Sequence, residues 1–361
     1  MNTPGRLKST LLTPCLCLDA DLLEHNIARM AAFLGDGPVR LRPHSKTHKC
    51  PTIAWLQIRA GAIGITCAKL SEAEVMAQAG IRDILIANQV VDKEKITRLV
   101  HLAANSDVMV AVDIVGNVQD LAHAAQVAGI RLRVLIEVNV GMERCGSEPG
   151  LPTLTLAREI LRLPSLRFEG LMGYEGHAVM IPEQTTRAET AKTAMAHLVG
   201  TRDLIVSQGI EVRIVSGGGT GTYDTTGVYP GLTEIQAGSY ATMDGKYRSV
   251  GVDFACALTV LARVIALRGP DVAIIDAGLK MMTSEFGMPA VAQPQGWMLE
   301  RLAEEHGFLR CQQGFPLAVG DLVELIPSHG CTTINLHDRY VVTRKGVVDA
   351  IWPIAARGCV Q

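Results

Sequence analysis

The chain has 361 residues, 48% of them hydrophobic, and a formal net charge of -2 spread over 34 basic and 36 acidic side chains. That length and apolar content can fill one large core and a smaller one, while the scattered charge excludes the basic stripe of a nucleic-acid or anionic-membrane binder, so the expected ligand is a small molecule. No apolar run nears the roughly 20 residues that span a bilayer and the opening residues lack a secretory leader's apolar core, so a cytoplasmic protein is expected, its nine cysteines reduced.

In chain order, 14–18 reads as an opening strand able to join a later sheet. Eight short apolar runs follow, at 39–43, 62–67, 83–87, 108–112, 133–138, 168–173, 212–215 and 234–236. Between them lie amphipathic segments such as 71–79, 93–103, 118–128, 152–161 and 187–207. Eight strand-then-helix units predict a (β/α)8 TIM-type barrel over 20–245. A doubly wound open sheet is the alternative, but the glycine-rich segment comes at the seventh strand rather than the first. From 246 to 361 the runs are short, β-branched and bounded by Gly, Pro and Asp, at 255–266, 272–275, 321–326, 340–343 and 347–352, with 295–306 expected to be helical. This predicts a β-rich second domain that takes in the strand within 1–19.

In a barrel the chemistry gathers at the C-terminal ends of the strands. After the first comes RPHSKTHK (42–49), where Lys46 lies among Arg42, His44, His48 and Lys49. Cationic neighbours lower an amine's pKa, as Schiff-base formation requires, although the same residues also fit a basic surface loop. Arg144 in VGMERCG and Tyr174 and His177 in MGYEGH follow the fifth and sixth strands. An arginine there can face a pyridine nitrogen, a tyrosine can pack on a ring, and the histidine is either a general base or a surface residue. SGGGTGTY (216–223) supplies Ser216, Gly218, Gly219 and Thr220, and AGSY (237–240) supplies Gly238, Ser239 and Tyr240. Converging backbone N–H groups and hydroxyls at the seventh and eighth tips suit a phosphate. Phosphate plus an activated lysine points to pyridoxal 5'-phosphate. Later, PSHGC places His329 and Cys331 two residues apart, on one side if the segment is extended. Imidazole and thiolate favour zinc and leave positions for water and a substrate hydroxyl, the alternative being a buried cysteine beside a histidine. His337 and Asp338 are further candidates.

These motifs, with EIQAGSYATMD, IDAGLK, PSHGCTTINLHD and the closing WPIAARG, run in order from Arg42 to Gly358. Together they resemble the D-threonine aldolase and D-serine dehydratase family of fold-type III (alanine racemase-like) pyridoxal-phosphate enzymes. The resemblance implies a cofactor-binding barrel, a C-terminal β-domain, a head-to-tail homodimer and a divalent metal, zinc first with manganese or magnesium as alternatives. It places Lys46 on the Schiff-base lysine and His329 and Cys331 on the metal pair. It also implies a β-hydroxy-D-amino acid substrate. The His-x-Cys pair is similar to the dehydratases, whereas aldolases commonly have His-x-Asp; the chain's ending is similar to the aldolases. Met180 stands where aldolases have a histidine, so His177 would serve instead. Retro-aldol cleavage to glycine and an aldehyde leads. Dehydration of D-serine or D-3-hydroxyaspartate to a 2-oxo acid and ammonia is the alternative, with racemisation or a non-catalytic cofactor carrier behind.

Overall fold

The computed structural model describes residues 2–313 and 316–361. The chain divides into two compact units. One comprises Ala31–Lys46, Ala54–Gly238 and Cys359–Gln361; the other comprises the residues up to Met30, Thr47–Ile53 and Ser239–Gly358.

After an opening strand, β1 (Cys15–Asp19), and a helix, α1 (Ala20–Leu34), come β2 (Arg40–Leu41), β3 (Ile65–Cys67), β4 (Ile84–Gln89), β5 (Val108–Val112), β6 (Leu132–Glu137), β7 (Leu166–Met172), β8 (Ile214–Gly217) and β9 (Glu234–Ile235). The strands β2 to β9 form one parallel sheet in the order β2-β9-β8-β7-β6-β5-β4-β3. A parallel bridge from His44 to Thr66 links the segment after β2 to β3. The sheet is curled and consistent with the expected (β/α)8 barrel, and each of the eight predicted strands is present. Parallel strands are covered on both faces, which is why β5 is buried at every position and reads as an unbroken apolar run.

The crossovers are helical: α2 (Pro51–Arg59), α3 (Leu70–Gln78), α4 (Lys93–Ala103), α5 (Val115–Val127), α6 (Leu151–Leu161) and α7 (Gln184–Ser207). Local chemistry starts them. Asp92 accepts the Lys95 amide at 3.0 Å to open α4, whose Ile96, Leu99 and Val100 turn one face inward.

An ionic network links several of the parallel strands. Arg42 pairs with Glu234 at 3.1 Å and Asp83 at 2.9 Å, and Arg133 pairs with Glu169 at 2.9 Å and Asp107 at 2.8 Å. Glycine at 64 makes room for it, since a Cβ there would lie 2.5 Å from Arg42 Nη1. The guanidinium of Arg42 is therefore engaged by Glu234 and Asp83 rather than turned on Lys46, which alters the expected cationic surroundings of that lysine.

The other unit is a mostly antiparallel sheet. Its further strands are β10 (Leu258–Leu267), β11 (Val272–Ile275), β12 (Ala290–Gln293), β13 (Trp297–Leu302), β14 (Gly307–Cys311), β15 (Leu322–Ile326), β16 (Arg339–Arg344) and β17 (Val347–Pro353). The path is β13-β14-β11-β10-β1-β16-β17, with β15 against β10 and β12. The opening strand thus joins this sheet as expected. The helix expected over 295–306 is instead β13, paired antiparallel to β14. Trp297 and Leu299 are buried while Met298 and Glu300 face out, a period of two that the flanking apolar residues masked.

Candidate active site

Lys46 follows β2 in a turn, and its Nζ lies 5.7 Å from the centre of the Tyr174 ring. The Arg144 guanidinium lies 5.8 Å from the same ring. Two residues read from separate strand tips thus lie around the aromatic ring supplied by a third. Arg144 is half-exposed and held at 3.6 Å by Glu137, which also accepts the Gln89 side-chain amide at 2.6 Å. Burial raises the Glu137 pKa above the usual carboxylate range, opposed by the Gln89 hydrogen bond and the Arg144 charge. His177 is exposed and sits over Gly141, whose Cβ would be 3.4 Å from the imidazole Cε1.

The glycine-rich loop is packed too closely for side chains. A Cβ on Gly218, where φ is +78°, would meet Ile235 Cγ2 at 2.9 Å, and one on Gly219 would meet the Tyr174 ring at 3.0 Å. A Cβ on Gly238 would lie 2.3 Å from the His44 carbonyl oxygen. Ser216 and Thr220 are buried, and the Ser216 hydroxyl accepts the Gln236 side-chain amide at 2.8 Å. Short-chain hydroxyls and close-packed backbone are the donor chemistry a phosphate needs, so these residues fit pyridoxal phosphate. Beneath them is a carboxylate that sequence reading passed over: Glu175, which accepts the Gly218 amide at 3.1 Å.

In the other unit, Cys331 Sγ lies 3.2 Å from the Thr47 hydroxyl and 3.8 Å from that of Ser239. Thr47 directly follows Lys46 in the chain, and Ser239 directly follows Gly238. Tyr240 is fully buried with its ring 5.5 Å from that of Phe254. His329 has extended dihedrals and caps a short helix, α10 after two brief turns α8 (Tyr223–Thr226) and α9 (Gly245–Ser249), with α10 covering Gly330–Ile334. Cys331 is therefore in a helical turn, and the pair converges through that bend rather than along one extended segment. Asp244 Oδ2 lies 3.1 Å from His329 Nδ1 and accepts the Gly330 amide at 3.0 Å, while Oδ1 accepts the Tyr247 amide at 2.9 Å. Burial penalises the imidazolium, but hydrogen bonds to Asp244 and Cys331 and their charge outweigh it and raise the His329 pKa to about 10.

With Nδ1 turned to Asp244, Nε2 is the nitrogen that would hold a metal, and an imidazole with a thiol is a donor pair that suits zinc. Among the described residues no three His, Cys, Asp or Glu side chains form a metal cage. Two protein ligands leave coordination positions to spare. His337 and Asp338 have other partners: the Met281 carbonyl at 2.8 Å and Arg357 at 2.6 Å. Glu137, Asp244 and Thr47 were not singled out from sequence, because an acid at a strand end or before a helix, or a hydroxyl in a turn, carries no periodicity that distinguishes it.

Residues 18–245 match the family described as "Alanine racemase, N-terminal domain", and residues 257–343 match that described as "Putative serine dehydratase domain". The chain is 40% identical to a D-threonine aldolase of Arthrobacter sp over 98% of its own length and 95% of the relative's. It is 35% identical to a 3-hydroxy-D-aspartate aldolase of Paracoccus denitrificans, over 98% and 94%. It is 31% identical to a D-threo-3-hydroxyaspartate dehydratase of Delftia sp., over 90% and 92%. Among solved structures, the D-threonine aldolase of Filomicrobium marinum superposes with a TM-score of 0.96 at 38% identity, covering 99% of both chains.

Proposed function

The chain belongs to the D-threonine aldolase and D-serine dehydratase family of fold-type III pyridoxal-phosphate enzymes, and from that membership we propose that it is a lyase splitting β-hydroxy-D-amino acids by retro-aldol cleavage into glycine and an aldehyde. The supporting observation is the gathering of Lys46 and Arg144 around Tyr174, with the residue next to Lys46 touching Cys331. The parallel sheet is a closed (β/α)8 barrel over 20–245, and 246–361 with the opening strand is the β-domain; the working form is a head-to-tail homodimer in the cytoplasm.

Pyridoxal phosphate, when bound, supplies an aldehyde for the substrate's amino group and a ring that draws electron density from the α-carbon. Lys46 provides the amine that holds it. Ser216, Gly219, Thr220, Gly238, Ser239 and Tyr240 would cradle the phosphate, with Gly218 setting the turn of the loop. Tyr174 would pack on the ring, and Arg144, restrained by Glu137, would be the partner of the pyridine nitrogen and keep it unprotonated. His177 takes the proton of the substrate's β-hydroxyl. His329 and Cys331 would hold a divalent metal, zinc before manganese or magnesium, whose Lewis acidity would act on that hydroxyl.

Identity to aldolases favours carbon–carbon cleavage. The Cys331 thiol favours a second reading, dehydration to a 2-oxo acid and ammonia, in which Lys46 takes the α-proton, hydroxide leaves, and water then hydrolyses the released imine. Purified protein with pyridoxal phosphate and zinc or manganese, offered D-threonine, D-serine and D-3-hydroxyaspartate, separates the two. Glycine with an aldehyde is the expected product; 2-oxo acid with ammonia and no glycine would establish the second reading, and no turnover of any of the three would defeat both.

A further inference from the structure

Glu175 is fully buried directly after Tyr174, and its carboxylate accepts three hydrogen bonds, all from the glycine-rich loop and the turn α8 that follows it. Oε2 accepts the Gly218 amide at 3.1 Å; Oε1 accepts the Thr222 hydroxyl at 2.6 Å and the Thr226 hydroxyl at 2.7 Å. No ion pair to Glu175 is present among the described residues, so its desolvation is offset by neutral donors rather than by a counter-charge. A negative group behind an anion-binding loop opposes the anion through its charge. Its contribution to binding must therefore be geometric. It draws the Gly218 N–H and the Thr222 hydroxyl backward, at the glycine whose positive φ sets the turn, and Thr222 in turn holds the Gly219 amide at 3.3 Å.

We infer that Glu175 is the positioning residue of the phosphate loop, fixing Gly218 and Thr222 so that the segment 219–221 is presented to the anion without reorganisation. The inference rests on the reading that this loop receives the cofactor's phosphate. It is tested by titrating the full-length, cofactor-stripped protein with pyridoxal phosphate and, separately, with pyridoxal, which lacks the phosphate. The wild-type protein prefers the phosphorylated ligand. Glu175→Gln keeps the shape but leaves one acceptor oxygen where the carboxylate had two, so the Gly218 amide or the Thr222 and Thr226 hydroxyls lose their acceptor, and it should lose about tenfold or more in pyridoxal-phosphate affinity while its affinity for pyridoxal stays unchanged. Thr226→Val, which removes one donor and touches no proposed ligand contact, should show a smaller loss with the same selectivity. Equal losses for both ligands, or none for the phosphorylated one, would overturn the inference. If Glu175→Gln does not fold, the ratio of the two affinities in Thr226→Val decides it. A wild-type protein indifferent to the phosphate would refute the loop's assignment, and the inference with it.

Discussion

Lys46 and Cys331 are separated in role by what each variant should leave intact. Lys46→Ala should abolish both turnover and the visible absorbance of the lysine-linked cofactor, because its amine lies over the Tyr174 ring. Cys331→Ala should abolish turnover yet keep that absorbance. A cofactor found on another lysine after borohydride reduction would refute the first assignment, and normal turnover in the second variant would return Cys331 to a structural role. Asp244 gives a finer test. Asp244→Asn removes the carboxylate that orients His329, and loss of such a partner typically weakens metal affinity about 10- to 100-fold. Competition with a chelator measures this, and an unchanged zinc affinity would refute it. Lys46, Tyr174 and Arg144 were legible because they stand in spelled motifs at strand ends. Glu175 and Asp244 stand in the same motifs but draw their meaning from backbone amides distant in sequence, which no local pattern exposes.

At the scale of elements, the start of α7 shows how one side chain sets a helix and its pH response. Glu183 accepts the Thr185 amide at 2.9 Å and the Thr186 amide and hydroxyl at 2.5 Å each. The Thr186 hydroxyl and the two amides lower its pKa from 4.5 to about 2. A carboxyl depressed in the folded state stabilises it fully above the unfolded value and loses that contribution as pH falls through the folded value. Glu183→Ala should therefore lower the melting temperature at pH 6, with the difference shrinking as pH falls from the unfolded value through about 2 and vanishing only below it, where both forms are protonated. A constant difference across that window would contradict the cap. Strands buried on both faces were legible as apolar runs. The stretch 295–306 was not, because Trp297, Met298, Leu299 and Leu302 satisfy a helical spacing as well as a strand's, and only pairing with β14 decides between them.

For the whole molecule, the path of the chain matters more than the sum of its elements. β1 lies between β10 and β16, pairing antiparallel with one and parallel with the other. A fragment of residues 246–361 would lack it and bare two strand edges in the middle of a sheet. Such a fragment should be unfolded or aggregated by circular dichroism and light scattering, and recover order when residues 1–19 are joined to it. Cooperative unfolding of the fragment alone would contradict this. The repeated strand–helix alternation and the switch to short β-branched runs made the two architectures legible, but not that Thr47–Ile53 is shared out to the second unit, since compactness in space leaves no mark on a contiguous stretch.

The octapeptide around Lys46 also bears on how such a protein can diverge. Loops on a barrel rim ordinarily gain and lose residues freely. Here nearly every position is tethered: Arg42 to Glu234 and Asp83, His44 and Ser45 to Thr66, the His48 carbonyl to the Tyr340 hydroxyl at 2.7 Å, and Lys49 to the Ala356 carbonyl at 3.4 Å. One inserted residue would carry Lys46 out of phase with anchors on both sides. This segment tolerates a change of spelling more readily than a change of length.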